Sequence, residues 1–111
     1  MNYPTISMRE LDCWIMCGRP MELIDLRSRN AYEYSHLKGA VNIPYEELER
    51  MLKEGTLERA EGIPMVLYCA RGSLSMLACN HLSAKGYPVV NTAGGVAAYR
   101  GRSMVRKAVD R

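Results

Sequence analysis

A mainly parallel α/β sheet covered by helices on both faces, a three-layer α/β/α architecture, is predicted by two features of the chain. Short apolar runs of strand length alternate with stretches of helical periodicity, and that alternation calls for right-handed βαβ crossovers. The run Met-Val-Leu-Tyr at 65–68 is apolar throughout, as in a strand buried on both faces of a parallel sheet. At 111 residues, 48% hydrophobic and 24% charged, the chain predicts one domain with a core that needs neither disulfides nor metal.

In order, residues 5–7 predict a first strand, and residues 8–17 a short amphipathic helix with Leu11, Trp14 and Ile15 inward, closed by Gly18. Residues 22–26 (Glu-Leu-Ile-Asp-Leu) form the next strand, with Asp25 and Arg27 at its carboxyl end. One or two tyrosine-rich helical turns follow at 30–35, then a brief strand at 40–42 stopped by Pro44. Residues 46–53 predict a polar helix with Leu48, Met51 and Leu52 inward, ended by Gly55. The strand at 65–68 leads through a loop into a helix at about 73–85, closed by Gly86. Its Ser75, Ala78, Cys79 and Leu82 share a face of mostly small residues, suited to close packing on a sheet. A last strand at 88–91 and the turn Thr-Ala-Gly-Gly precede a terminal helix at about 96–107.

The chemistry concentrates at Cys69. It stands at the carboxyl end of the 65–68 strand, the edge where open α/β sheets bind ligands, and the helix behind it aims free N–H groups and its positive dipole end at the loop. Only a thiolate is a useful nucleophile, and a positive environment is what separates a reactive cysteine from an inert one. Gly72 permits an anion-binding nest of backbone N–H groups, Arg71 adds a permanent charge, and Ser73 and Ser75 offer hydroxyls, either able to cap the helix. Cys79 reads as a core residue, since a resolving role would require it to turn toward the loop from more than a turn away.

Several function classes fall away. The longest apolar runs are far too short to span a bilayer, so no membrane role is expected. The amino terminus lacks the basic start and apolar core of a secretory signal, so a cytoplasmic setting with reduced cysteines is expected. Cys13 and Cys17 lie one helical turn apart, but two ligands without a nearby histidine make no structural zinc site, and they read as core or surface thiols. Net charge is +3, and five of the fifteen basic residues (Arg100, Arg102, Arg106, Lys107, Arg111) fall in the last twelve positions. With only Tyr99 as an aromatic platform, this tail reads as a solvated helix face and not as a nucleic-acid surface. His36 has no serine nucleophile beside it and is assigned a hydrogen-bonding role.

Taken together, four pieces resemble the single-domain rhodanese-like sulfurtransferases over nearly the whole chain. They are Leu-Ile-Asp-Leu-Arg at 23–27, Ser-His-Leu-Lys-Gly-Ala-Val-Asn-Ile-Pro at 35–44, Leu-Tyr-Cys-Ala-Arg-Gly-Ser-Leu-Ser at 67–75, and Ala-Gly-Gly at 93–95 with Tyr99 four residues on. The resemblance implies a five-stranded sheet of order 1-5-4-2-3. It also implies that Cys69 takes a sulfane sulfur from thiosulfate or another persulfide donor and passes it to cyanide, a thiol or an acceptor protein. Ala70, Arg71, Gly72, Ser73 and Leu74, with Ser75 behind them, would form the substrate loop, their backbone N–H groups pointing at the sulfur. No metal or organic cofactor is implied. Asp25, Arg27 and His36 match family positions as supports of the loop's surroundings.

Leu74 departs from the arginine or serine of many relatives and makes the cradle less polar, and Val96 replaces a common tryptophan. Two other functions stay open. A silent binding or sulfur-carrier module of the family usually lacks the cysteine present here. A cysteine-dependent phosphatase would carry an arginine six residues after its nucleophile to clamp phosphate bidentately, and this chain has Ser75 there.

Overall fold

Apolar composition on both faces places Met65–Tyr68 (β5) at the centre of the sheet, and the other elements are arranged about it. The computed structural model describes residues 3–58 and 60–107. Before β5 come β1 (Thr5–Ser7), α1 (Met8–Met16), β2 (Glu22–Asp25), α2 (Arg29–Tyr34), β3 (Ser35–Leu37), β4 (Val41–Asn42) and α3 (Tyr45–Glu54). After it come α4 (Ser73–Ala84), β6 (Val89–Ala93), a 3-10 turn (Val96–Ala98) and β7 (Met104–Arg106). The main sheet has the order β1-β6-β5-β2-β4, all pairs parallel. Counted among its own five strands this is 1-5-4-2-3, as the resemblance implies.

Side chains alternate across a strand, so β5 feeds two cores at once. Met65 and Leu67 join Leu48 and Leu52 of α3 and Ala78, Cys79 and Leu82 of α4 on one face. Val66 and Tyr68 join Met8 and Leu11 of α1 on the other, where Tyr32 of α2 packs against them. The small face expected on α4 is the face it buries: Ser75, Ala78, Cys79 and Leu82. Capping follows the side chains available. The Ser7 hydroxyl accepts the Glu10 N–H at 3.0 Å, the Ser28 hydroxyl accepts that of Ala31 at 3.2 Å, and Gly55 closes α3 in the left-handed region.

The expected terminal helix at 96–107 is corrected. The chain makes one 3-10 turn, becomes extended at Tyr99, and returns as β7, antiparallel to β3 with Ser35 opposite Arg106. Two interactions outweigh local helical propensity. Gly101 lies so close to α1 that a Cβ there would come within 2.4 Å of the Asp12 carboxylate, and the Tyr99 hydroxyl bonds to Asp12 at 2.6 Å while accepting the Ser103 N–H. Of the basic tail, Arg111 lies outside the described residues. Among those residues no helix is long and apolar enough to cross a membrane.

Candidate active site

β5 ends by delivering Cys69, 1% exposed, to the carboxyl edge of the sheet, and the chain then turns sharply into α4. Gly72 makes that turn at φ +101°, a left-handed conformation that side chains rarely adopt, and serves as the helix N-cap. Neither Ser73 nor Ser75 caps α4. Instead the Ser75 hydroxyl, wholly buried, donates to the carbonyl of Gly72 at 3.2 Å and also faces that of Thr92 at 3.5 Å. This ties the first turn of the helix to β6.

The sulfur sits in a backbone cradle. The N–H of Gly72 donates to Cys69 Sγ at 3.1 Å and that of Ser75 at 3.3 Å. Two amide dipoles and the start of a helix thus converge on one buried sulfur, an arrangement that favours an anion there. Within the stretch 70–74 only the Gly72 amide reaches the sulfur among the described residues. Ala70, Arg71, Ser73 and Leu74 stand exposed around it, with the Leu74 side chain forming an apolar rim.

The loop is held from behind by a segment whose role the sequence barely signals. Gly94 and Gly95 bring the chain back so close that a Cβ on Gly95 would lie 2.5 Å from the Cys69 carbonyl oxygen, and one on Gly72 would lie 2.9 Å from the Gly94 nitrogen. The amides of Val96 and Ala97 then donate to the carbonyls of Cys69 and Ala70, each at 2.9 Å. The paired glycines were legible as a turn that brings the following segment close to the active loop; the backbone hydrogen bonds of Val96 and Ala97 to residues 69 and 70 were not.

Asp25, Arg27 and His36 make no contact with the sulfur among the described hydrogen bonds, and Asp25 bonds to Tyr68, whose side chain lies across the sheet from that of Cys69. Asp25 is wholly buried, receives Arg27 Nε and Nη2 at 2.8 to 3.1 Å, and accepts the Tyr68 hydroxyl at 2.7 Å. That hydroxyl in turn accepts the N–H of Leu37 at 3.1 Å. Burial first, and then the Asp25 charge, push the Tyr68 phenol well above its ordinary range, so it remains a donor. His36 stacks on Tyr32 with ring centroids 3.9 Å apart and places Nδ1 2.8 Å from the Tyr32 carbonyl, which requires Nδ1 to carry the proton. The network reaches the active edge through the backbone: the Leu26 N–H donates to the Tyr68 carbonyl, one residue before Cys69.

Cys79 is buried on the same face as Cys69, and burial, then the neighbouring Cys69 sulfur, push its thiol up to about 12, so it is protonated at neutral pH. Cys13 on α1 and Cys17 at its C-cap are exposed free thiols. Among the described residues no three His, Cys, Asp or Glu side chains are grouped to hold a metal.

Residues 7–102 match the family model described as "Rhodanese-like domain". "Thiosulfate sulfurtransferase PspE" of Escherichia coli is 33% identical over 73 residues, spanning 66% of this chain and 68% of that protein. "Adenylyltransferase and sulfurtransferase MOCS3" of Anopheles gambiae is 41% identical over 83 residues, which is 70% of this chain but 19% of that longer protein. The chain likewise covers only 14% of a "tRNA sulfurtransferase" from Desulfurococcus amylolyticus. In solved structures, a rhodanese-like domain protein from Staphylococcus aureus superposes with a TM-score of 0.77 at 22% identity over 95% of this chain and 99% of its own, a likeness of fold.

Proposed function

Since the chain belongs to the rhodanese-like domain family, we propose that it is a sulfurtransferase in which Cys69 carries the sulfur as a persulfide. The observation that carries this reading is the buried Cys69 sulfur receiving the Gly72 and Ser75 amides. Sulfur transfer is nucleophilic displacement at sulfur, and amides aimed at that sulfur accommodate the negative charge that attacks and later returns.

In the first half-reaction the Cys69 thiolate attacks the outer sulfur of thiosulfate. A Cys69–sulfur bond forms, the sulfur–sulfur bond of the donor breaks, and its electron pair leaves with sulfite. In the second, cyanide or a thiolate attacks the terminal sulfur, the sulfur–sulfur bond to Cys69 breaks, and the electron pair returns to Cys69 as thiolate. Sulfur atoms and electron pairs balance within each step, so no outside oxidant or reductant enters the reaction. In this reading the amides of Ala70, Arg71, Ser73 and Leu74 are assigned to the terminal sulfur, and Arg71 to drawing in an anionic donor. Four free cysteines suit a reducing, cytoplasmic setting for this chemistry. Phosphate transfer is disfavoured because position 75 holds a buried serine engaged with backbone carbonyls and no arginine clamp.

The test is intact mass after incubation with thiosulfate and removal of the excess. The expected result is a gain of one sulfur atom, lost on adding cyanide, abolished in Cys69→Ser and retained in single Ser variants of Cys13, Cys17 and Cys79. Uptake that survives Cys69→Ser would overturn the assignment.

A further inference from the structure

Both exposed cysteines lie on one turn at the end of α1: Cys13 and Cys17 stand in solvent, while Cys69 and Cys79 are buried. The N–H of Cys17 donates to the Cys13 carbonyl at 3.0 Å, which closes the helical turn and sets Cys17 above Cys13. Met16, three residues from Cys13, is 68% exposed and joins neither core cluster. At about 100° per residue, positions 13, 16 and 17 fall within an arc of about 100°. Met8 and Leu11, the buried residues of α1, lie on the other side of the helix. Two thiols and a thioether thus share a face on which the fold packs nothing.

The spacing suits a shared ion. Cβ atoms one turn apart are about 5–6 Å from each other. Two thiolates on one ion, each about 2.3 Å from it, need their sulfurs at most about 4.6 Å apart, which side-chain rotation alone supplies. Cys17 Sγ already leans back along the helix, donating to the Trp14 carbonyl at 3.5 Å, one residue from Cys13. Met16, unbranched and rotatable at three bonds, reaches the pair from the side.

The donor set selects the ion. Structural zinc takes four ligands, and among the described residues no three His, Cys, Asp or Glu side chains are grouped to hold a metal. Thiolate and thioether are soft, and the first-row ion they favour is Cu(I), a closed-shell ion satisfied by two or three such ligands. With two thiolates the bound ion carries one net negative charge, and Arg9, exposed one turn before Cys13, offsets it.

We propose that Cys13, Met16 and Cys17 form a surface Cu(I) site. Binding replaces two S–H bonds by two Cu–S bonds and releases two protons to solvent, with no change of oxidation state in metal or sulfur. α1 packs on the Tyr68 face of the sheet and Cys69 lies on the other, so the site is independent of the sulfur cradle and of the persulfide reading.

The full chain, reduced and kept from oxygen, is titrated with Cu(I) held by bathocuproine disulfonate, whose visible band fades as the metal leaves it. The wild type is expected to withdraw one ion per chain without changing its oligomeric state. X-ray absorption of the product should show sulfur alone around copper, at about 2.3 Å. Withdrawal is expected to weaken at least about hundredfold in Cys13→Ser and in Cys17→Ser, about threefold to tenfold in Met16→Leu, and not at all in Cys69→Ser. No withdrawal by the wild type, nitrogen or oxygen in its copper shell, or one ion shared between two chains would each overturn the site, whatever the variants do. So would withdrawal that survives Cys13→Ser/Cys17→Ser, and unchanged affinity in Met16→Leu would overturn the three-sulfur set. Sulfur uptake on Cys69, measured beside it, stands or falls separately.

Discussion

Arg71 and Cys69 divide the work of the loop between a charge that faces solvent and a sulfur that does not. The sulfur is held by amides that no side-chain substitution removes, so on the proposed reading the guanidinium is left the task of attracting the donor across water. Arg71→Ala is expected to raise the KM for thiosulfate about threefold at low ionic strength, the effect shrinking in concentrated salt as screening shortens the reach of the charge. Steady-state kinetics at two ionic strengths check this. An unchanged KM at low salt would leave the cradle as the sole anion-binding element. Gly72 was legible at this scale as a residue that turns the backbone toward the sulfur; the engagement of the Ser75 amide was not, because it depends on where α4 begins.

At the scale of elements, β5 carries function on one face and support on the other. Cys69 belongs with α3 and α4, while Tyr68, one residue earlier, points across the sheet to Asp25 and Leu37. Tyr68→Phe removes a hydroxyl that satisfies a buried carboxylate and a buried N–H, and is expected to destabilise the fold by about 1–3 kcal/mol. Urea denaturation measures the loss. Sulfur uptake on Cys69 should persist in the folded variant, since the sulfur's own hydrogen bonds come from the opposite face; its disappearance would show that the two faces are coupled. The strands of the main sheet were legible because each is a short local run between turns, and their alternation with helices made the sheet parallel; their order came from the family resemblance alone. β3 was not, since its three residues gain a partner only from a segment some seventy residues later.

At the scale of the whole molecule, α1 and the segment after the 3-10 turn are joined by Asp12, Tyr99 and Ser103. Hydrogen bonding, from the Tyr99 hydroxyl above all, holds the Asp12 carboxyl below its usual value of 3.8. A group whose folded pKa is depressed stabilises the fold fully above its unfolded value and loses that contribution as pH falls through the folded one. Wild type should therefore exceed Asp12→Asn in stability at neutral pH, and the difference should narrow below about pH 4. Denaturation series at pH 7 and pH 3 check the narrowing; a constant difference would mean that the carboxylate's charge is immaterial. This junction also marks where sequence reading stopped. Residues 96–107 have helical composition, and nothing local announces that Gly101 must lie against an acid on α1.

On the proposed persulfide reading, the burial of Cys69 works as a filter by reagent size that changes with loading. With 1% of the residue exposed, the bare sulfur is open only to slender reagents, and bulky electrophiles or partner surfaces are held away by the loop. A sulfur bonded to Sγ would stand about 2 Å further out, beyond that screen and level with the rim. The same cavity that admits only small donors would then present its cargo to acceptors too large to enter, so that loading and unloading are sorted by reach without any part of the protein having to move.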